Sequence, residues 1–315
     1  MIKNEREIKY HTPVLVDKVC HYLLQENTKQ IVDVTLGDGG HSLAFLQKGE
    51  SDLQILGIDQ DSEALERASA RMKAFKNRFE VCKGNFAELK KLLSRQGITQ
   101  VDGILADIGV SLLQISKPER GFSYQLDGPL RMVMDENNRE SAWDVINRYS
   151  FDQLYSIIKE YGEERFAGRI ARKICLARGR NNIDSTTQLA NIVSSAVPGK
   201  QSIKSRARVF QAIRIYINKE LESLQKFLDQ AIDVLSPGGR LAVISYHSLE
   251  DRIVKNLFRS KASPCECPPS FPKCVCGKVP EVNILTKKVV RPEIDEIDRN
   301  VNARSAKLRV VEKLG

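Results

Sequence analysis

Three aspartates and three glycines mark where this chain could do chemistry. An apolar, β-branched run from Ile31 to Thr35 carries Asp33 and leads into Gly37, Gly39 and Gly40, ahead of the helical pattern SLAFLQ. A second apolar run ends at Asp59, 22 residues beyond Gly37, and a third, Val101 to Asp107, also closes on a carboxylate. A strand, a glycine turn, a helix and a strand closed by an acid form the entry unit of an open α/β sheet holding an adenosine-bearing cofactor. Glycines let a backbone approach a ligand where any Cβ would clash. An ionised carboxylate only accepts hydrogen bonds, so Asp59 suits the two ribose hydroxyls and would repel an extra ribose phosphate. Ligands of such sheets sit beyond the carboxyl ends of the strands, so Asp33, Asp59 and Asp107 are expected to converge on one crevice. Any one of these acids alone would read as a cap or loop residue.

The turn narrows the choice of cofactor. GDGGHS does not supply the G-x-G-x-x-G of a dinucleotide site, and no Lys-Ser/Thr pair follows to hold a triphosphate. An acid followed by Gly-x-Gly looks like the first motif of S-adenosylmethionine-dependent methyltransferases. Two other readings stand beside it. A nicotinamide-dependent oxidoreductase shares the α/β entry unit, and a non-catalytic RNA-binding assembly protein could retain a vestigial cofactor fold.

The elements that must position these residues alternate at first. Helical patterns at Val14 to Leu24, from Ser62 to about Phe75, and at Ala87 to Gln96 separate strands at Ile31 to Thr35, Gln54 to Ile58, Phe79 to Lys83 and Val101 to Asp107. This predicts βαβ units and a doubly wound parallel sheet. From Leu113 to Lys204 the strand pattern stops. Ala142 to Asn147, Phe151 to Tyr161, Glu163 to Ala177 and Thr186 to Val197 read as helices, so an all-helical domain is inserted over 113–204, between sheet segments 1–112 and 205–315. The sheet pattern resumes after one long helix, Val209 to Leu235. Ser236-Pro237-Gly238-Gly239 turns into a fifth strand, Arg240 to Tyr246, and a helix runs from Ser248 to Phe258. Val282 to Val290 and Ala306 to Val311 are expected to close the sheet as an antiparallel hairpin.

With 315 residues, 42% hydrophobic and 28% charged, the chain has the make-up of a soluble protein with a sizeable core. No apolar run approaches the roughly 20 residues that span a bilayer. The charged amino-terminal stretch has no secretory h-region, and Cys20, Cys82 and Cys175 stand isolated, so a reducing cytoplasmic setting is expected. The net charge of +9 is concentrated: Arg165 to Arg214 holds eleven Lys or Arg against the single acid Asp184. Such runs usually form a solvated helix face. Here Arg165, Arg169, Arg172 and Lys173 recur at helical spacing opposite Phe166, Ile170 and Ile174, which favours a nucleic-acid footprint.

Seven strings occur in one order from about His11 to Arg309: HTPVLVDKV, DVTLGDGGHS, DIGVSLLQ, ERGFSYQLDGPL, YGEERFAGRIARKI, RVFQAIRIYINKEL and SYHSLEDRIVK. Together they resemble the bacterial 16S rRNA (cytosine-N4) methyltransferase family, which implies a Rossmann-like methyltransferase sheet. The resemblance implies S-adenosylmethionine as methyl donor, 16S rRNA or the small ribosomal subunit as partner, and the exocyclic amine of a decoding-centre cytosine as acceptor. It also implies donor contacts at Gly39, Gly40 and His41 in the turn, at Asp59, at Phe86 beside the adenine, and at Asp107 and Gln114. The chain departs from the family at Arg131 to Asp135, where Asp-Met-Arg-Met-Asp is usual, and at Asn300 to Asn302, where Asn-Pro-Arg is usual.

The chemistry asks for alignment more than for a base. The amine lone pair is delocalised into the ring, and orientation alone can supply roughly 7 to 11 kcal/mol. Asp107 is expected beside the amine, with His247, just past the fifth strand, as second candidate or else as a helix cap. The target base must leave its stack. Tyr124 and Trp143 are candidate stacking partners, although Val145 and Ile146 point to a core position for Trp143. Finally, Cys265, Cys267, Cys274 and Cys276 form a C-x-C…C-x-C cluster among prolines, a candidate zinc site of tighter spacing than the usual C-x-x-C pairs.

Overall fold

A computed structural model describes residues 10, 12–135, 138–268 and 275–315. The alternation read from the sequence is present: α1 (Val16–Leu23), β1 (Gln30–Asp33), α2 (Gly40–Lys48), β2 (Gln54–Asp59), α3 (Ser62–Arg71), β3 (Phe79–Lys83), α4 (Leu89–Arg95) and β4 (Val101–Asp107). Six helices follow: α5 (Leu112–Ser116), α6 (Ala142–Arg148), α7 (Phe151–Glu160), α8 (Ala167–Arg178), α9 (Thr186–Ala196) and α10 (Ser202–Asn218). Then come α11 (Glu220–Val234), β5 (Leu235–Ser245), α12 (Ser248–Ala262), β6 (Val282–Ile284), α13 (Ile294–Arg299) and β7 (Lys307–Lys313).

The seven strands form one sheet in the order β3-β2-β1-β4-β5-β7-β6. β1 to β5 run parallel, and β7 lies antiparallel between β5 and β6. The expected closing hairpin therefore forms, with its second strand against β5. Successive residues feed two cores. Ile31 and Leu105 join the apolar cluster of α1, α2 and α3, while their neighbours Val32 and Ile104 join that of α4, α11 and α12. A parallel sheet covered on both faces reads as continuous apolar runs, as these strands do. The Pro237-Gly238-Gly239 turn sits inside β5 as a bulge: Val101 pairs with Leu235 and Gly103 with Arg240, and Gly238 takes φ +80°.

The chain divides into two compact units, Met1–Gly109 with Ser223–Gly315, and Val110–Glu222. Among the described residues of the second unit there is no strand, only an isolated bridge between Pro129 and Ser185. Its core packs α7 on α8, α8 on α9, α9 on α10 and α10 back on α7. Four of its helices open with reciprocal caps, Ser111 with Gln114, Ser141 with Asp144, Ser150 with Gln153, and Ser185 with Gln188.

Two expectations need correction. The single helix from Val209 to Leu235 is broken at Lys219, whose φ is +50°. Asn218 marks the break, donating to Met132 O and Arg214 O and accepting from Met134 N. The boundary at 204 falls inside α10. That helix buries Val209, Phe210, Ile213 and Ile217 in the helical core, so the second compact unit runs on to Glu222.

Candidate active site

β1, β2 and β4 each deliver an aspartate to the carboxyl edge of the sheet, and the three acids take different work. Asp33 is 1% exposed. It accepts from the Ser42 hydroxyl at 2.8 Å and from Thr35 N at 3.3 Å, which ties β1 to the first turn of α2. Burial pushes its carboxyl upward in pKa, opposed by His41 and Ser42. Asp33 is thus a brace for the glycine turn. Asp59 is half-buried; one oxygen accepts from Gly37 N and the other from Asp61 N, both at 2.9 Å. Burial raises it to about 6 against those two hydrogen bonds.

The glycine turn is held from outside by α3. Arg67 pairs with Asp38 at 2.7 Å, and Arg71 donates to Asp38 O. Gly37 and Gly39 both take positive φ, +51° and +71°. A Cβ on Gly39 would meet Met72 Cε at 2.8 Å, and one on Gly40 would meet Pro13 at 3.2 Å. Protein packing and backbone conformation therefore account for these two glycines, where the sequence suggested close approach of a ligand.

His41 follows in the first turn of α2. It is 6% exposed, and neither ring nitrogen has a hydrogen-bond partner among the described residues. Its Nε2 lies 3.7 Å from Asp107 Oδ2. The other Asp107 oxygen accepts from the Tyr246 hydroxyl at 2.9 Å, and Asp107 N donates to Thr35 Oγ1 at 2.6 Å. Burial and the Asp107 carboxylate hold the Tyr246 phenol firmly protonated. Asp33, His41, Asp107 and Tyr246 thus form one group at the ends of β1, β4 and β5. Sequence reading missed Tyr246 and Thr35. Neither stands in a spacing pattern of its own, and only the fold brings Tyr246 to Asp107.

The remaining expected residues are placed as follows. Phe86 is half-buried, set edge-on to Phe227 with ring centroids 5.4 Å apart. Gln114 is buried in α5 of the helical unit, where its Oε1 accepts from Ser111 N in a capping box. His247 is the N-cap of α12: Nδ1 accepts from Glu250 N at 3.4 Å, and Nε2 lies 2.9 Å from Glu250 Oε1. Glu250 in turn accepts from Tyr246 N and His247 N. Trp143 is half-buried against the helical core with its indole N–H on Asp184, and Tyr124 packs edge-on to Phe210 beneath Arg206.

A sequence model of the MraW methylase family matches residues 8–314. The chain belongs to that family. Its relatives include "Ribosomal RNA small subunit methyltransferase H" of Carboxydothermus hydrogenoformans, 47% identical, with 96% of this chain and 98% of the relative covered. The protein of the same name from Oleidesulfovibrio alaskensis is 46% identical over 99% of this chain and 97% of the relative. Family membership makes the Asp59 and Asp107 edge the place to look for the methyl donor. The orphaned, buried His41 nitrogens and the carboxylate of Asp59, with lone pairs left over, fit a polar nucleoside there. No helix among the described residues is long and apolar enough to cross a membrane.

Proposed function

We propose that this chain transfers a methyl group from S-adenosylmethionine to the exocyclic N4 amine of a decoding-centre cytosine in 16S rRNA, in the cytoplasm. Near-full-length kinship to proteins named ribosomal RNA small subunit methyltransferase H carries this reading. The donor, when bound, supplies an electrophilic methyl carbon on a sulfonium. Asp59 holds the ribose hydroxyls, with both its oxygens already fixed by Gly37 N and Asp61 N. Gly39, Gly40 and His41 line the donor at the head of α2, Phe86 lies beside the adenine, and Gln114 adds a contact from α5. Asp107 accepts a hydrogen bond from the target amine. That favours the pyramidal nitrogen as it bonds to the methyl carbon and the carbon–sulfur bond breaks. The nitrogen then releases its proton. Tyr246 and Thr35 fix the Asp107 carboxylate and backbone, so Asp107 needs no reorganisation at that moment.

The RNA is met by the helical unit. Of the eleven basic residues from Arg165 to Arg214, four serve the fold. Arg178 donates to Ile146 O, Arg206 lies over the Tyr124 ring, Arg208 pairs with buried Glu164, and Arg214 pairs with Glu220. The others are exposed, among them Arg165 just before α8, Arg169, Arg172 and Lys173 on α8, and Lys204 at the start of α10. The two stripes adjoin where Arg165 donates to Gln201. Such a surface contacts phosphates, which position the strand without reading sequence.

Methyl incorporation from labelled donor, measured on free 16S rRNA and on assembled small subunits, tests the proposal. N4-methylcytidine in the digested RNA is the expected product. A different modified nucleoside, or no incorporation into either substrate, would overturn it.

A further inference from the structure

Between α12 and β6, residues 263–268 and 275–280 form no helix or strand, and none of them is buried. Val275 and Val279 are 72% and 73% exposed. Connections longer than about 12 to 15 residues with no structure of their own are uncommon in compact domains. The base of this one is pinned: Glu281 N donates to Lys261 O at 2.9 Å, and the Lys261 ammonium lies 2.8 Å from both Glu281 oxygens. Above that base none of the described residues is buried in an apolar core. A unit that cannot build a core is commonly stapled by disulfides or a metal.

The loop carries the parts of a metal clip. The Sγ atoms of Cys265, Cys267 and Cys276 all lie within 4.8 Å of one another. Tetrahedral zinc with bonds of about 2.3 Å sets its sulfurs about 3.8 Å apart, so little movement separates this arrangement from coordination. Val275 N donates to Cys267 Sγ at 3.3 Å. Gly277, directly after Cys276, takes φ +65°, a left-handed turn. Lys278 sets its positive charge near Cys276 and Cys265 and pairs with Glu266 at 2.5 Å. None of these groups belongs to the donor-binding edge of the sheet.

We infer that Cys265, Cys267 and Cys276 hold a structural zinc ion, a thiolate clip that fixes the loop between α12 and β6. Cys274, the remaining cysteine of the C-x-C…C-x-C pattern, lies outside the described residues. Coordination displaces the thiol protons, so affinity rises with pH.

The test uses the full chain, purified under reducing conditions without chelator and reconstituted with zinc alone. Mass spectrometry of the metal should find stoichiometric zinc. The same protein loaded with cobalt should show a thiolate-to-metal charge-transfer band. Cys276→Ser and the triple variant C265S/C267S/C276S should lose the metal, and Cys175→Ser, in the helical core, should keep it. Donor affinity, read at the distant Asp59 edge, certifies that each variant is folded. Zinc absent from the reconstituted wild type, or retained by the folded triple variant, overturns the inference. So does a thiol count showing these cysteines joined as disulfides under the same conditions.

Discussion

At the scale of single residues, the proposed roles give Asp59 the donor ribose and Asp107 the target amine. Asp107→Ala should abolish methylation while the protein stays folded. Tyr246→Phe removes one charge-assisted hydrogen bond, worth about 1.5–3 kcal/mol when made to an ion. Single-turnover measurements should find the methyl-transfer rate down about ten- to a hundredfold, at 1.4 kcal/mol per decade, with donor Kd little changed. Asp59 makes a pH prediction. Its carboxyl is raised to about 6 from 3.8, so the folded state holds the proton more tightly than the unfolded chain does. Its stabilising contribution is complete below 3.8 and is lost as pH rises through about 6. At neutral pH the ionised group costs about 3 kcal/mol for that shift. The stability of Asp59→Asn relative to wild type, from urea midpoints, should therefore climb between those pH values and then level off. The acceptor lost to Gly37 N or Asp61 N adds a pH-independent offset. The same variant should bind donor poorly at every pH. A flat difference would show that Asp59 does not titrate as its burial implies. These acids were legible because each closes an apolar run. Tyr246 was not, since one tyrosine after a strand carries no spacing signal, and only the fold brings it to Asp107.

Elements were legible where local chemistry agreed with tertiary packing. Ser141, Ser150 and Ser185 each stand three residues before an Asp or Gln, and α6, α7 and α9 start there. α8 starts at Ala167, later than its periodicity suggests, because Glu163 takes φ +47° and buried Glu164 accepts from Phe166 N. The break between α10 and α11 was hidden because Lys219 is neither Gly nor Pro. Asn218 enforces it through Met132 and Met134, distant in sequence, and Arg214 pairs with Glu220 across it. Lys219→Gly should relieve the left-handed strain, and chemical denaturation should record a gain of about 0.5–1 kcal/mol. His247 poses the opposite question, whether a residue at a strand end is catalyst or cap. Its Nδ1 accepts from Glu250 N, so we assign it to the cap of α12. Asparagine also caps well, and loss of a cap costs about 1 kcal/mol. His247→Asn should keep most of the stability and turnover, and His247→Ala should lose stability. A stable but inactive His247→Asn protein would return His247 to the chemistry.

For the whole molecule, the division of labour between the two compact units predicts how salt and charge act. Asp59 and the glycine turn proposed to meet the donor sit in the sheet unit, and the exposed arginines of α8 sit in the helical one. Reversing Arg169, Arg172 and Lys173 to glutamate together removes up to three phosphate contacts from one exposed stripe. Each neutralised phosphate contributes about 0.7 to 0.9 to the slope of log affinity against log salt, so the slope should fall by about 2 to 3. The KM for RNA should rise and donor Kd should stay put, because no substituted residue is a donor ligand. Reversal of Lys73 and Lys76, exposed on the sheet unit, should leave the salt slope unchanged and serves as the control. The two outcomes discriminate between a localised footprint and an effect of the net charge of +9, which would respond to any reversal. Equal losses from both sets would place RNA attraction in the overall field of the protein and leave α8 with the solvated-face role that charged helices usually have.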